Sequence, residues 1–207
     1  MAVYCAAMTA PRAVLFDLGN VLCTVDVGRL PAAWEAATGA PYAALAEALF
    51  TSGLKHAMDR GQVGAAEVAA RVSQVAGVSL DMESFAAIWG AVLLPWPAAN
   101  ALALRVTVPA GLLSNTDPMH HAYARSLCPA LAALRPHVVS YAVGALKPEP
   151  AIYDAAVEAM GMAAGEILFL DDLEANVVAA RAVGLRAEVV RDLGDLERAL
   201  TPVLGPP

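Results

Sequence analysis

Cysteine is scarce in this chain, with only Cys5, Cys23 and Cys128 among 207 residues. The three are scattered and odd in number, so neither a disulfide framework nor a cysteine metal site is read from them, and the usage fits a reducing cytoplasm. Positive charge is scarce as well. Thirteen Lys and Arg against twenty Asp and Glu leave a net charge of −7, which argues against a broad basic surface for nucleic acid. An anionic ligand would need local attraction instead, from a metal, one Lys or helix N-termini. The longest uncharged run, Phe85 to Leu104, is interrupted by Pro95, Pro97 and Asn100. It reads as a helix to about Leu94, a turn and a shorter helix, and not as a membrane span. Met1 to Pro11 has neither a basic start nor a long apolar core, so it reads as a loose leader rather than a signal peptide. Repeats, low-complexity tracts and flexible linkers are missing too.

What is present is an alternation of short apolar runs with helical stretches. Ala13-Val14-Leu15-Phe16 reads as a buried strand, broken by Gly19-Asn20. Strands follow at Gly111 to Leu113, Val138 to Tyr141, Ile167 to Leu170 and Ala187 to Val190, separated by helical segments such as Pro150 to Met160 and Leu193 to Leu200. Alternation of this kind predicts an α/β fold, a Rossmann-like parallel sheet with helices on both faces. Between the first two strands lie Ala- and Leu-rich stretches with helical periodicity: Leu30 to Thr38, Ala43 to Phe50, Ala65 to Val75 and Met82 to Val92. No strand is expected there. The domain division read from this is a core of residues 1–26 and 95–207 with an inserted helical domain of residues 27–94.

Polar groups collect at the strand ends, where open α/β sheets bind ligands. Asp17 follows the first strand, Ser114-Asn115 the second, and Asp171-Asp172 the Ile167 strand; Lys147 precedes Pro148 and a helix. Taken in that order, Phe16-Asp17-Leu18-Gly19-Asn20, Leu113-Ser114-Asn115-Thr116, Lys147-Pro148 and Phe169-Leu170-Asp171-Asp172 resemble the four motifs of the haloacid dehalogenase-like superfamily. The wording most resembles its bacterial sugar-phosphate phosphatases, including the alpha-D-glucose-1-phosphate phosphatases. That resemblance implies a helical cap over the active site, Asp17 as a nucleophile that becomes an aspartyl phosphate, and Lys147 holding Asp17 and the phosphate together. It implies phosphate binding by Ser114 and Asn115. The metal set it implies for Mg²⁺ is Asp17, Asp172, the carbonyl of Gly19 and, less directly, Asp171.

The residue types suit that chemistry. A carboxylate attacks a phosphate dianion poorly unless a cation offsets their repulsion, and three carboxylates make a hard oxygen site for Mg²⁺. Asp171-Asp172 equally suit a helix N-terminus, and both roles can coexist. Asn176, one helical turn beyond Asp172, either orients the acidic pair or is structural. Gly19 departs from the superfamily, where most phosphatases carry an Asp that protonates the leaving oxygen; Asp26 is a candidate replacement. Lys55, His56, Asp59 and Arg60 are candidates to face the cleft from the cap. Trp34 and Trp89 are expected in the cap core, His120 and His121 on a helix surface, and Asp117 as a helix cap. The expected protein is a cytoplasmic Mg²⁺-dependent phosphatase of a small phosphorylated substrate, monomer or homodimer, without nucleic-acid or membrane partners. A catalytically silent Mg²⁺- or phosphate-binding scaffold and a 2-haloacid dehalogenase are the alternatives.

Overall fold

A computed structural model describes residues 10–206. Five strands, β1 (Ala13–Phe16), β4 (Ala110–Ser114), β5 (His137–Val139), β6 (Ile167–Asp171) and β7 (Arg186–Val189), form a parallel sheet in the order β5-β4-β1-β6-β7. β1 is central, pairing with β4 through Val14 and Ala110 and with β6 through Val14 and Leu168. All four of its side chains are buried, because the strand period of two sends them to two cores. Val14 and Phe16 join one core with Leu168 and Leu170. Ala13 and Leu15 join the other with Ile167 and Phe169. Helix α9 (Pro150–Met160) covers the second face through Ile152, Tyr153 and Ala156, and α11 (Leu193–Leu200) covers the first through Leu196 and Leu200. Both faces of the sheet are therefore covered over β1 and β6, as a parallel sheet requires.

Between β1 and β4 the chain builds a helical cap region. Helices α1 (Arg29–Thr38), α2 (Tyr42–Ala46), α3 (Leu54–Asp59), α4 (Ala65–Ala76) and α5 (Met82–Gly90) pack on Trp34, Leu49, Met58 and Phe85, with a π-helical turn at Glu47–Thr51. Two expectations fail here. Helix α5 stops at Gly90, and Leu93–Pro95 (β3) pairs antiparallel with Cys23–Val25 (β2). Partners seventy residues apart are invisible to local periodicity. The short helix α3 also falls where only a charged cluster was noted. On the core side, Ser140 and Tyr141 open a short helix instead of extending β5.

The cap meets the core closely. A side chain at Gly61 would lie 2.0 Å from the Tyr141 carbonyl, so only Gly fits that crossing. Arg60, beside it, donates to both Glu149 and the Gly144 carbonyl of the core. Among the described residues no helix is long and apolar enough to cross a membrane.

Candidate active site

The carboxyl ends of β1, β4 and β6 bring the expected residues together. Asp17, one residue past β1, is held by its backbone N–H on the Leu170 carbonyl at 2.9 Å. Asp171 ends β6 and is fully buried. Carboxylate oxygens of Asp17, Asp171 and Asp172 lie within 4.8 Å of one another. Lys147 enters between the first two. Its Nζ lies 2.8 Å from Asp17 Oδ1, 2.6 Å from Asp171 Oδ2 and 3.2 Å from the Leu113 carbonyl. Burial opposes the ammonium, but the two carboxylates outweigh it and raise the Lys147 pKa. Burial pushes Asp17 up to about 6, with Lys147 pulling it down and Asp171 adding to the rise.

The supporting hydrogen bonds are specific. Asn176 Nδ2 donates to both Asp171 oxygens, at 2.9 and 3.1 Å, and the Leu173 N–H donates to Asp171 Oδ1 at 2.8 Å. Asn176 therefore orients Asp171, not Asp172. Asp172 is held by Asn20, whose Nδ2 donates to Asp172 Oδ2 at 2.9 Å while its Oδ1 accepts from the Val25 N–H. Asn20 has φ 54°, a left-handed conformation that Asn tolerates better than most residues. It belongs to the first motif quoted above, yet nothing in the sequence marks it as Asp172's partner.

The Asn115 side chain ties the site to the lysine loop. Its amide clamps the Lys147 backbone, donating to the carbonyl at 2.8 Å and accepting from the N–H at 2.7 Å. Ser114 is buried at the end of β4, and Ser140 Oγ bridges the Thr116 N–H and carbonyl. The phosphate motif and the lysine loop are thus tied into one frame.

Asp117 is more than the helix cap expected of it. Its Oδ1 accepts from the Met119 and His120 N–H groups at the start of α7 (Pro118–Leu127). Its Oδ2 accepts from Trp89 Nε1 at 2.9 Å and His120 Nδ1 at 2.9 Å, with Lys55 Nζ 3.9 Å away. Burial opposes ionisation of Asp117, but the His120 hydrogen bond and charge, helped by Lys55, hold its carboxyl well below the usual range. His120 Nε2 meets the Trp89 carbonyl at 2.8 Å. The expected surface placement of His120 and His121 is therefore wrong. His120 joins cap to core, and His121 is buried against Tyr141 and His137. Trp89 is buried as expected, but on the cap's inner face. Of the cap candidates, Lys55 lies in the cleft paired with Asp59 at 2.5 Å, and Arg60 is spent on Glu149. Asp26 is exposed and accepts from the Gly28 N–H.

A cavity of about 270 Å³ lies over this frame, with Gly19, Ser114 and Asn115 on the core side and Phe50, Lys55 and Trp89 on the cap side. A larger groove, about 870 Å³, runs along β7 and is lined by none of the motif residues. The smaller one is the candidate site because Gly19, Ser114 and Asn115 line it.

Residues 11–184 match the family of haloacid dehalogenase-like hydrolases. The chain belongs to that family. The members it resembles include a D-ribitol-5-phosphate phosphatase of Bacteroides thetaiotaomicron, 24% identical over 206 residues that span 92% of this chain and 97% of that protein. A phosphatase of Mycobacterium tuberculosis is 38% identical over 81 residues, 39% of this chain and 37% of that one. A HAD-family enzyme of Bacteroides thetaiotaomicron, crystallised with magnesium and inorganic phosphate, shares the fold of this hydrolase at TM-score 0.75 and 24% identity, over 87% of this chain and 94% of that one.

Proposed function

We propose that this hydrolase is a Mg²⁺-dependent phosphatase that cleaves a small phosphate monoester through an aspartyl phosphate on Asp17. The observation that carries the reading is the convergence of three carboxylates within 4.8 Å, with Lys147 bridging Asp17 and Asp171. All the donors are hard oxygens, so the set fits Mg²⁺. Asp17, Asp172, the Gly19 carbonyl and, through its buried carboxylate, Asp171 would hold it. When bound, Mg²⁺ offsets the repulsion between the attacking carboxylate and the phosphate dianion.

The chain's own residues do the rest. Asp17 attacks phosphorus while Lys147 keeps its carboxylate oriented and offsets the charge that develops on the phosphoryl oxygens. Ser114 Oγ, at the end of β4, holds those oxygens. Asn115 acts mainly by fixing Lys147. Water then cleaves the acyl phosphate and restores Asp17. Gly19 supplies no acid for the leaving oxygen, so esters with better leaving groups gain most, a property of sugar 1-phosphates. Residues 27–94 serve as the cap and residues 1–26 with 95–207 as the core, Met1–Thr9 and Pro207 lying outside the described residues.

The near full-length likeness to a D-ribitol-5-phosphate phosphatase favours a sugar- or polyol-derived ester over glucose 1-phosphate specifically. The dehalogenase alternative attacks carbon and needs neither a metal nor a second strand-end carboxylate pair. A phosphate-release screen over sugar, polyol and aryl phosphates, with Mg²⁺ and with excess chelator, tests the reading, with halide release from chloroacetate run in parallel. Mg²⁺-dependent phosphate release is expected. Full activity in chelator, or halide release without phosphate release, would refute it.

A further inference from the structure

The walls of the cleft have a chemistry of their own. Beyond the phosphate frame the cavity is lined by Val25, Val27, Leu30, Phe50, Val92 and Leu93. Two of these also stand open at the surface, Val27 at 72% and Phe50 at 46% exposure. The polar side chains of the same walls already have partners within the protein. Lys55 holds both Asp59 oxygens at 2.5 Å. His120 spends one nitrogen on Asp117 and the other on the Trp89 carbonyl. Thr116 Oγ1 turns to the Asp117 carbonyl. Tyr42 is left with its hydroxyl as one available polar group. A polyol chain entering this space would give up water around every hydroxyl and regain few hydrogen bonds.

We infer that the leaving group of the substrate is compact and apolar where it meets the cap, a deoxygenated sugar- or polyol-derived alcohol with few hydroxyls, and that the Phe50 side of the cleft selects it. This rests on the phosphatase reading for its turnover measurement. It departs from the fully hydroxylated ester named for the ribitol-phosphate relative. An unpaired hydroxyl in an apolar site costs roughly tenfold in affinity.

The test compares n-pentyl phosphate with D-ribitol 5-phosphate on the full chain with Mg²⁺. Both are five-carbon primary phosphate esters and differ in their hydroxyls; the polyol is the slightly better leaving group, so chemistry alone favours it. The pentyl ester is expected to show kcat/KM at least about tenfold higher. Equal or higher kcat/KM for the ribitol ester would overturn the inference and leave the phosphatase reading standing. If neither ester nor p-nitrophenyl phosphate is cleaved, the phosphatase reading fails. Calorimetric titration of the two intact esters then decides the inference alone: tighter pentyl phosphate supports it, and tighter or equal ribitol phosphate overturns it. Phe50→Ser should shrink the pentyl-to-ribitol ratio several-fold, and an unchanged ratio would overturn the assignment to this cleft.

Discussion

Replacing Lys147 by Met keeps the length and apolar packing of the side chain and removes its charge. In the native protein that charge is 1% exposed and sits between Asp17 and Asp171, the latter fully buried. Removing one partner from a buried ionic cluster leaves uncompensated charge, at a cost of about 3–5 kcal/mol. For a chain of this size, ~3 kcal/mol lowers Tm by at least about 6 °C. Asp171 keeps Asn176 and the Leu173 N–H, so Asp17 is the group that responds. Its native pKa, already raised from 3.8 to about 6 by burial, rises further without Lys147. An acid with a native pKa above its unfolded value binds more protons folded than unfolded, so its contribution to stability falls as pH rises through that interval. Lys147 itself has a raised pKa, so its contribution is fully present at neutral and acidic pH. The stability deficit of Lys147→Met should therefore be larger at pH 8 than at pH 5. Thermal unfolding of both proteins at the two pH values, without metal, measures it. Phosphate release should fall by about 10²–10³ or more, the usual loss when a group stabilising transition-state charge is removed. A Tm within 2 °C of wild type at both pH values would refute the reasoning, the threshold being roughly 1 kcal/mol.

Asn20→Ala and Asn176→Ala remove the hydrogen bonds that orient Asp172 and Asp171, and each should weaken Mg²⁺ about 10–100-fold, read from activity against Mg²⁺ concentration and from calorimetry. Asn20→Ala should also lower stability, because Ala strains at φ 54° where Asn does not. Trp89→Phe keeps the ring and deletes the hydrogen bond to buried Asp117. It should cost about 1–3 kcal/mol in urea unfolding and raise KM more than it lowers kcat, since the clasp joins cap to core. Because Asp17 takes up a proton as pH falls through about 6 in the metal-free protein, the apparent Mg²⁺ affinity should weaken below that pH, and saturating Mg²⁺ should move the activity limb to lower pH. A pH-independent Mg²⁺ requirement between pH 5 and pH 7 would contradict the assignment, on the basis that a ligand must be deprotonated to bind.

The α/β core was legible because its signals are local. Ala13–Phe16, Pro150–Met160 and Leu193–Leu200 stand where apolar runs and flanking Gly, Pro and Asp place them. The carboxylates were legible because they sit at strand ends, Lys147 because it stands in a short motif before a helix, and their order along the chain is specific. What stayed hidden depends on contacts between distant segments. The β2–β3 ribbon joins residues seventy apart. His120 reads as one of two helical histidines until Trp89, thirty-one residues earlier, is brought onto it by the cap. Asn20 and Asn115 stand in the quoted motifs, but their bonds to Asp172 and to the Lys147 backbone require strand packing that periodicity does not encode. Gly19 is the reverse case, since its lack of a side chain was plain, and Asp26, the candidate named to replace it, is exposed and accepts from the Gly28 N–H.

The central claim is covalent catalysis by Asp17. Single turnover with a phosphate ester labelled in its phosphoryl group, in Mg²⁺, followed by acid quench and peptide mapping, tests it most directly. Label should appear on the peptide carrying Asp17, be lost to hydroxylamine, and be missing from Asp17→Asn, which should also release no phosphate. Wild-type phosphate release by Asp17→Asn, or label on another residue, would contradict the account.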